Sequence, residues 1–559
     1  MPFRSSPTAR RILACLSLLL CAFQALADDL ASQQLRDQQQ SLQQHERQLR
    51  LERWQRPAVP AEQDRDASAE PSGNQCWRIS GVSLAGNQRL STHTLVSVMR
   101  PLVQPCMGID ATNRLLKAIT QRYVQAGYPT SRPYLRQPLQ HDAALDIIIR
   151  EGFVESIELG VGELPLSLAG AFPDVLGQPL FLPDIEQGLD QLNRLRAYDI
   201  GVDLLPGQRQ GGTRVLVQPR RVASRWHLDS RVDNRGTALT GRHRLNLTVG
   251  LDSPLGLNDD LRLSLNRTVA DAPGQTRGIT VSYSIPYGAW TFAVNASQLS
   301  YSAPTPESRL ISSGSSRFQG ISAERMLWRN QQGVLSASAR IDHKQLINRT
   351  GEQVVDLQSP TLTTVDAGLN LLWLGNGFWY GSLGVVQGTG WFGADRPSPH
   401  GNAPQADFRK YRAYGLRRVD GPARWPWRWQ SELSLQYSAD VLPAVEHLQL
   451  ADDSAVRGFR QFLYSGASSA AWRNTFSQPL PHSWLQPLQV RPYFGLDLGW
   501  TRLADASPSQ RLAGAVAGVE LHLADSRLRL DYQRALYASD RSRSHLEAGF
   551  WVLELNLSI

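Results

Sequence analysis

Two short segments carry the residues of this sequence whose chemistry is most distinctive. In the segment SAVRGFRQF, 454–462, Arg457 and Arg460 flank a glycine and a phenylalanine, and no acidic residue follows closely. In the segment YFGLDLGW, 493–500, Asp497 alternates with apolar side chains and has a glycine two positions away on either side. A guanidinium group forms directional, charge-assisted hydrogen bonds with a carboxylate. The two segments therefore offer the chemistry of an ion pair.

Catalytic and cofactor-binding patterns are absent from the sequence. It contains no GxSxG nucleophile motif, no HExxH metal motif, no Walker loop and no dinucleotide fingerprint. Carboxylates are abundant, so any two of them could be described as a pair and their number carries no information. We therefore predict no enzymatic activity, no catalytic residue, no metal site and no cofactor.

The N-terminal segment 1–27 has the organisation of a secretory signal peptide. Three arginines precede or flank a short apolar stretch at 12–23, and Ala25-Leu26-Ala27 forms an A-x-A cleavage site. We predict cleavage after Ala27. The alternative interpretation of the apolar stretch is a helix buried within the protein.

Two cysteines would remain after this cleavage, because Cys15 and Cys21 lie within the signal segment. Cys76 and Cys106 would then enter an oxidising compartment, where such a pair predicts one disulfide. In the chain-entropy account, a disulfide across a loop of this length stabilises the fold by roughly 3–4 kcal/mol. Two free thiols or half of a metal site are the alternatives, but no CxxC motif or histidine cluster accompanies either cysteine.

Length, composition and charge restrict the class of protein further. The chain has 559 residues, of which 19% are charged. Its apolar runs fall short of the roughly 18–20 residues that a spanning helix needs. The formal net charge of +8 becomes +5 when the three signal arginines are subtracted (8 − 3 = 5). Because no compact Lys/Arg tract is present, we predict no nucleic-acid partner.

Residues 28–56 favour a helix with one narrow apolar stripe. Leu35, Leu42 and Leu49 recur every seven residues, and the neighbouring positions are mostly Gln, Arg and Glu. Such a helix suits a polar cavity, where it would act as a plug; a free helix or an unstructured tail is the alternative. The segment 57–75 changes to Pro, Ala, Ser, Asp and Glu, which predicts a linker.

Two consecutive α+β modules are predicted after the linker. The segment 76–151 has the pattern strand, helix, helix, strand, strand, with an amphipathic helix in DATNRLLKAITQRYVQAGY. The segment 152–222 repeats this order, with its helix in DIEQGLDQLNRL. The repetition predicts two modules of one kind.

Helical periodicity ends near residue 223, and alternation of apolar and polar residues takes its place. In WVLELNLSI, for example, leucines alternate with Glu554, Asn556 and Ser558. Repeated alternation of this kind is typical of a transmembrane antiparallel β-barrel, which is apolar outside and polar inside. At about 20 residues per strand and connection, the segment 223–559 would form about 16 strands. A soluble sandwich or propeller is the alternative.

Several motifs together resemble one family. DNRGTALTGRHRLNLTV followed by DSPLGLNDDL is similar to the first barrel hairpin of two-partner secretion transporters, the TpsB family. VQAGYPTSRPYL and DIEQGLDQLNRL resemble parts of the first and second polypeptide-transport-associated (POTRA) domains of that family. AVRGFRQ resembles the tip of its lid loop, and FGLDLG resembles the strand motif that faces the loop. The family is related to the BamA insertases.

The resemblance implies roles for named residues. In this family the lid loop folds back into the lumen, and its arginine meets an aspartate on the inner wall, so Arg457 is expected to pair with Asp497. The alternation in the wall motif is consistent with this, because it turns Asp497 toward the lumen between two glycines. The alternative is a solvated loop arginine and an unrelated pore carboxylate. The expected lid-loop residues are Val456, Arg457, Gly458 and Phe459, and the expected wall residues are Phe494, Gly495, Asp497 and Gly499.

The resemblance also implies a function and a location. Members of the family export haemolysins, haemagglutinins and contact-dependent inhibition toxins across the bacterial outer membrane. The chain is accordingly expected to lie in outer-membrane lipid as a monomer, with its α+β modules in the periplasm. There they would bind an unfolded, large secreted partner of the TpsA type. A BamA-like insertase and a passive porin are the alternatives.

Overall fold

The structure is a computed structural model that describes residues 76–559, except 161, 238–239, 270–272, 305–309, 331, 397–405, 452–454, 461–463, 481–486 and 504–506. The predicted signal peptide 1–27, plug helix 28–56 and linker 57–75 lie outside the described residues. Within the described part of the chain, no helix is both long and apolar enough to cross a membrane.

The first module packs two helices on a four-stranded sheet. Its elements are β1 (Cys76–Ala85), α1 (Thr92–Met99), β2 (Cys106–Gly108), α2 (Ile109–Gln125), β3 (Arg132–Leu135) and β4 (Ala143–Arg150), and the strand order is β2-β1-β4-β3. Helix α2 buries Leu115, Ile119 and Tyr123, which lie on one face at helical spacing. The strand β2 was not predicted, because its three residues are too few to show any periodicity.

A disulfide joins the first two strands of this module. Cys76 and Cys106 are bonded, with their Cα atoms 5.5 Å apart. Cys76 begins β1 and Cys106 begins β2, and the two strands pair in antiparallel register. The bond therefore fastens the short edge strand β2 to the rest of the sheet.

The second module repeats the architecture on a smaller scale. Its elements are β5 (Phe153–Leu159), α3 (Leu168–Ala171), α4 (Leu182–Asn193), β6 (Tyr198–Pro206) and β7 (Gly212–Val222), and the strand order is β5-β7-β6. Ile185 and Leu192 on α4 pack into a core with Val215 and Val217 on β7. As predicted, the module has the order strand, helix, helix, strand, strand.

A closed antiparallel barrel of 16 strands follows, in agreement with the prediction of about 16. The wall strands are β8 (Trp226–Asp233), β9 (Arg244–Asp252), β10 (Asp260–Thr268), β11 (Gln275–Tyr287), β12 (Trp290–Pro304), β13 (Ile311–Arg329), β14 (Gly333–Thr350), β16 (Thr361–Gly375), β17 (Gly377–Thr389), β18 (Arg409–Asp420), β19 (Arg428–Tyr437), β22 (Ser468–Ser477), β23 (Gln489–Arg502), β24 (Gln510–Leu523), β25 (Ser526–Ala538) and β26 (Phe550–Ser558). The short strand β15 (Gln353–Val354) pairs only with the end of β14.

Closure and side-chain alternation together exclude a sandwich or a propeller. The last strand, β26, pairs with the first, β8, so the wall has no free edge. On β26, Trp551 and Leu553 are exposed on the outer surface, while Val552 and Glu554 are buried on the inner one. The apolar outside and polar inside are those of a barrel in lipid.

The second module is attached to the barrel end at which β8 begins. The backbone N–H of Ser167 donates to Asn258 Oδ1 at 2.9 Å, and Asn258 Nδ2 donates to the carbonyl of Ser167 at 2.7 Å. Gln191 Nε2 on α4 donates to the carbonyl of Gly288 at 2.9 Å. Asn258 and Gly288 lie in turns between wall strands, so this end of the barrel is the module side.

Candidate functional site: a loop anchored inside the barrel

The loop between β19 and β22, residues 438–467, contacts the inner wall of the barrel. Within it, β20 (Leu448–Gln449) and β21 (Ser465–Gly466) pair as a short antiparallel ribbon that carries the tip. The tip and the inner wall share one apolar cluster of buried residues: Leu450, Ala451, Ala455, Val456, Phe459, Tyr464, Ala471, Leu512, Ala535 and Ala538. The loop is therefore packed against the wall rather than extended into solvent.

Arg457 and Asp497 form a buried, bidentate ion pair at the centre of this contact. Arg457 Nε donates to Asp497 Oδ2 at 2.7 Å, and Nη2 donates to Oδ1 at 2.6 Å. The backbone N–H of Arg457 donates to Oδ2 at 3.0 Å, and Nη2 also donates to the carbonyl of Asn474 at 2.9 Å. Each of the two paired residues is only 1% exposed. Both charges are thus paired and hydrogen-bonded, which their burial requires.

Glycines on two wall strands make the room that this pair needs. A Cβ atom on Gly495 would lie 2.3 Å from Arg457 Nη2, and one on Gly514 would lie 1.8 Å from the Arg457 carbonyl oxygen. A Cβ atom on Gly499 would lie 2.8 Å from Val456 Cγ2. The wall is therefore recessed where the loop tip approaches.

The loop turns at Gly458, which has a φ of +101°. This value favours glycine, because a Cβ atom there would be strained by the backbone itself. It would also lie 2.4 Å from the backbone carbon of Arg534 on β25. The Gly458 N–H donates to Gln533 Oε1 at 3.2 Å, so the turn is attached to β25 as well as to β23.

The structure brings seven of the eight expected loop and wall residues together. Phe459 packs edge-on against Tyr464 in the loop, with ring centroids 5.6 Å apart. Phe494 is the exception, because it is 56% exposed on the outer face and contacts Phe476 there. Phe494 occupies one of the wall-motif positions that alternate toward lipid, together with Leu496 and Leu498.

A second ionic anchor lies near the root of the loop. Glu446 Oε1 is 2.5 Å from Lys344 Nζ on β14, and Oε2 is 2.7 Å from Lys410 Nζ on β18. The carbonyl of Glu446 accepts hydrogen bonds from Lys410 Nζ at 2.8 Å and from Gln436 Nε2 at 3.0 Å. Burial alone would raise the pKa of the Glu446 carboxyl, but the two ammonium groups hold it well below its usual range. The root is thus held by wall strands separate from those that hold the tip.

A third contact links the tip to the strands where the barrel closes. The backbone N–H of Arg460 donates to Glu547 Oε2 at 2.8 Å, and Arg460 Nη2 donates to the carbonyl of Asn234 at 3.0 Å. The guanidinium carbon lies 4.2 Å from the ring centroid of Phe550. Asn234 follows β8 and Phe550 begins β26, so the loop touches both sides of the closing pair.

The sequence analysis did not identify Glu446, Gly514 or Gln533 as contributors. The sequence offered one signal, the rarity of lysine, since the chain has only three. The structure places two of them, Lys344 and Lys410, on Glu446. No comparable signal marks Gly514 or Gln533. Among the described residues, no group of three or more His, Cys, Asp or Glu side chains could hold a metal ion.

Three models of known protein families match segments of this chain. Residues 211–521 match the family described as haemolysin secretion/activation protein ShlB/FhaC/HecB. Residues 77–152 match the ShlB-type POTRA domain, and residues 153–206 match a further POTRA domain.

Individual proteins similar to the chain cover most of its length. The haemolysin transporter protein HpmB of Proteus mirabilis is 35% identical over 83% of this chain and 82% of its own. ShlB of Serratia marcescens, also a haemolysin transporter protein, is 33% identical over 87% of this chain and 84% of its own. The solved structure of CdiB from Escherichia coli covers 94% of this chain and 98% of its own, with a TM-score of 0.82 and 26% identity.

Proposed function

The chain belongs to the haemolysin secretion/activation family of ShlB, FhaC and HecB, and we propose that it recognises an unfolded TpsA-type partner in the periplasm and secretes it through its barrel. Its relatives are outer-membrane transporters with a barrel and periplasmic POTRA domains, and it is not an enzyme. Haemolysins, adhesins and contact-dependent inhibition toxins are the candidate classes of partner.

Capture of the partner is proposed to use the POTRA domains. The sheet of the first domain ends at β3, and that of the second ends at β6. An exposed sheet edge can accept an extended peptide as an additional strand. An unfolded partner offers such a segment at any point along its length, so this mode of binding would suit a partner that has not yet folded.

Sealing of the lumen is proposed to depend on the anchored loop. The observation that carries this proposal is the buried bidentate contact between Arg457 and Asp497. Transport would require the loop to release this contact, and segment 28–56 is proposed to fill the remaining space at rest. Folding of the partner outside the cell would then favour its onward movement.

The remaining proposed boundaries are a signal peptide at 1–27, a linker at 57–75, POTRA domains at 76–151 and 152–222, and a barrel at 223–559.

Replacing Arg457 with alanine tests the proposal in cells that produce the secreted partner. We expect the barrel to insert normally and the partner to accumulate in the periplasm, because a loop that cannot return to its anchored position would obstruct passage through the lumen. The matched control is Arg534→Ala, which removes an exposed arginine from the outer face of β25 and should leave secretion intact. Normal secretion by the Arg457→Ala variant would contradict the proposed role of the loop.

The same cells distinguish the two alternative functions. Loss of many outer-membrane proteins on depletion of the chain would favour an insertase. Strong ion conductance together with unchanged secretion on deletion would favour a passive porin. Under our proposal, depletion affects a single large partner and leaves other barrel proteins at their usual levels.

A further inference from the structure

Three arginines form a patch on the outer surface of the barrel. Arg267 on β10 and Arg277 on β11 are directly opposite each other in the strand register, and both are exposed. The preceding outward residue on β10, Leu265, is 46% exposed, and the following one on β11, Ile279, is 43% exposed. Side chains two apart on a strand share a face, so the two arginines lie on the lipid-facing side.

Arg317 on β13 extends this patch across the neighbouring strands. It is exposed and pairs in register with Gln298 on β12. Ser300, the next residue on that face of β12, is opposite Arg277 and accepts a hydrogen bond from Arg277 Nε at 3.1 Å. Strand spacing of about 4.8 Å separates β10 from β13 by about 14 Å across three intervals. Arg317 is offset by two residues from the row of Arg267, Arg277 and Ser300, so its Cα lies about 16 Å from that of Arg267.

The arginine patch marks one edge of the apolar outer surface. Along β12 the outward residues change from Val294 to Gln298, and along β13 they change from Ile321 to Arg317. Strand β10 starts beside Asn258, on the module side of the barrel, so Arg267 near its other end lies on the extracellular side. The patch is therefore at the level of the outer-leaflet headgroups.

On strands β10–β13, no carboxylate balances the charge of the patch on its own face. Like charges directly opposite each other on neighbouring strands are destabilising. The carboxylates of β10–β13 are Asp260 and Glu324, and both are turned inward, where Asp260 binds Arg262 and Glu324 accepts a hydrogen bond from Ser336. Within those four strands, the outward face thus carries no carboxylate to separate Arg267 from Arg277. The acidic residues of the adjoining loops, Asp271 and Glu307, lie outside the described residues.

We propose that this patch binds the phosphate groups of lipopolysaccharide in the outer leaflet. Guanidinium groups form bidentate bonds with phosphate oxygens, and one phosphate between Arg267 and Arg277 would relieve their mutual repulsion. Arg317 would meet a second phosphate of the same headgroup, since the lipid A disaccharide carries one at each end. The inference rests on the outer-membrane location of the family and not on the proposed route of secretion.

The test measures binding of purified chain in neutral detergent to bisphosphorylated lipid A by native mass spectrometry. The Arg267→Gln/Arg277→Gln/Arg317→Gln variant is expected to bind at least about tenfold more weakly, because each lost arginine removes a charge-assisted bond. Its matched control is Arg325→Gln/Arg417→Gln, which removes two arginines that stack on tryptophans at the module-side edge of the outer surface. That control should bind as the unsubstituted chain does.

The remaining arms identify the chemistry and the source of the ligand. Lipid A without phosphates should bind the unsubstituted chain at least about tenfold more weakly than the bisphosphorylated form. Inorganic phosphate at millimolar concentration should not displace the lipid. Should the triple variant fail to fold, lipid A binding is compared between two single variants. Arg277→Lys keeps the charge and should retain binding, whereas Arg277→Glu reverses it and should weaken binding. Equal binding of both lipid A forms, displacement by inorganic phosphate, or equal weakening in the module-side control would overturn the proposal.

Discussion

The recess beneath Arg457 is set by glycines rather than by the charged residues themselves. A Cβ atom on residue 514 would lie only 1.8 Å from the Arg457 carbonyl oxygen. Gly495 leaves comparable room for the guanidinium group. A buried ion pair offsets the cost of removing its charges from water only if its geometry is close to ideal. Small changes in the wall are therefore expected to act on the loop as strongly as removal of a charge.

The variant Gly514→Ala tests this point at the scale of one residue. The added methyl group should displace the loop tip and destabilise its closed position by about 1–3 kcal/mol, the usual cost of overfilling a packed site. The measurement is single-channel conductance in planar bilayers, where we expect more frequent open events. Gly415→Ala on β18 is the matched control, because a Cβ atom there meets nothing within 4 Å. Identical conductance for the two variants would contradict the account.

The sequence supported only part of this residue-scale description. Alternation along β23 predicts that Asp497 faces the lumen and that Phe494 faces lipid, since side chains alternate between the two faces of a strand. The pairing of Asp497 with Arg457 was predicted only from the resemblance to a family. Gln533 and Gly514 could not be predicted, because contacts between a loop and distant strands leave no local pattern in one sequence.

At the scale of the element, the loop is held at three places by different parts of the wall. Its tip binds β23, its root binds β14 and β18, and Arg460 reaches the residues beside β8 and β26. Holding a long loop in one position costs conformational entropy, and the three anchors offset that cost. The separate anchors also allow the tip to release while the root stays attached.

The variant Glu446→Gln tests the role of the root. It leaves the ammonium groups of Lys344 and Lys410 buried without their carboxylate, which should cost about 3–5 kcal/mol. We expect loop residues to become accessible to a protease added outside intact cells. Lys344→Met/Lys410→Met/Glu446→Leu removes the charges together and should restore protection. Equal protease resistance of Glu446→Gln and the unsubstituted chain would show that the root does not depend on this cluster.

Element prediction from the sequence succeeded where elements are long and periodic. The wall strands show alternation over many residues, and the helices α2 and α4 each show a clear apolar face. The strand β2 and the ribbon of β20 and β21 have two or three residues each, which is too short for any period to appear. These short elements are fixed by tertiary contacts and by the disulfide at Cys106.

At the scale of the whole molecule, the second POTRA domain is locked to the barrel through charged groups. Arg329 at the end of β13 binds Glu186 at 3.1 Å and also Asp190, both on α4, and its side chain is 8% exposed. Arg196 binds Asp229 on β8 at 2.9 Å. A partner captured by the domain would consequently be held at a fixed distance from the barrel entrance.

The variant Arg329→Ala should loosen this attachment without unfolding either part. We expect a broader distribution of distances between spin labels on α4 and on the barrel, measured by pulsed electron paramagnetic resonance. Arg214→Ala is the control, because its ion pair with Glu158 is 3.9 Å long and exposed to solvent, where such pairs contribute little. Unchanged distance distributions for Arg329→Ala would mean that other contacts alone fix the domain.

The central claim is that an exported partner passes through the lumen of this barrel. Adjacent positions on β14 test it directly. Ala337 lies opposite Leu369, which is exposed on the lipid-facing side, so alternation turns Ser338 toward the lumen. A photo-cross-linking amino acid at position 338 should capture a partner stalled during export, whereas the same group at position 337 should capture none. Cross-links from position 337 without any from position 338 would contradict passage through the pore.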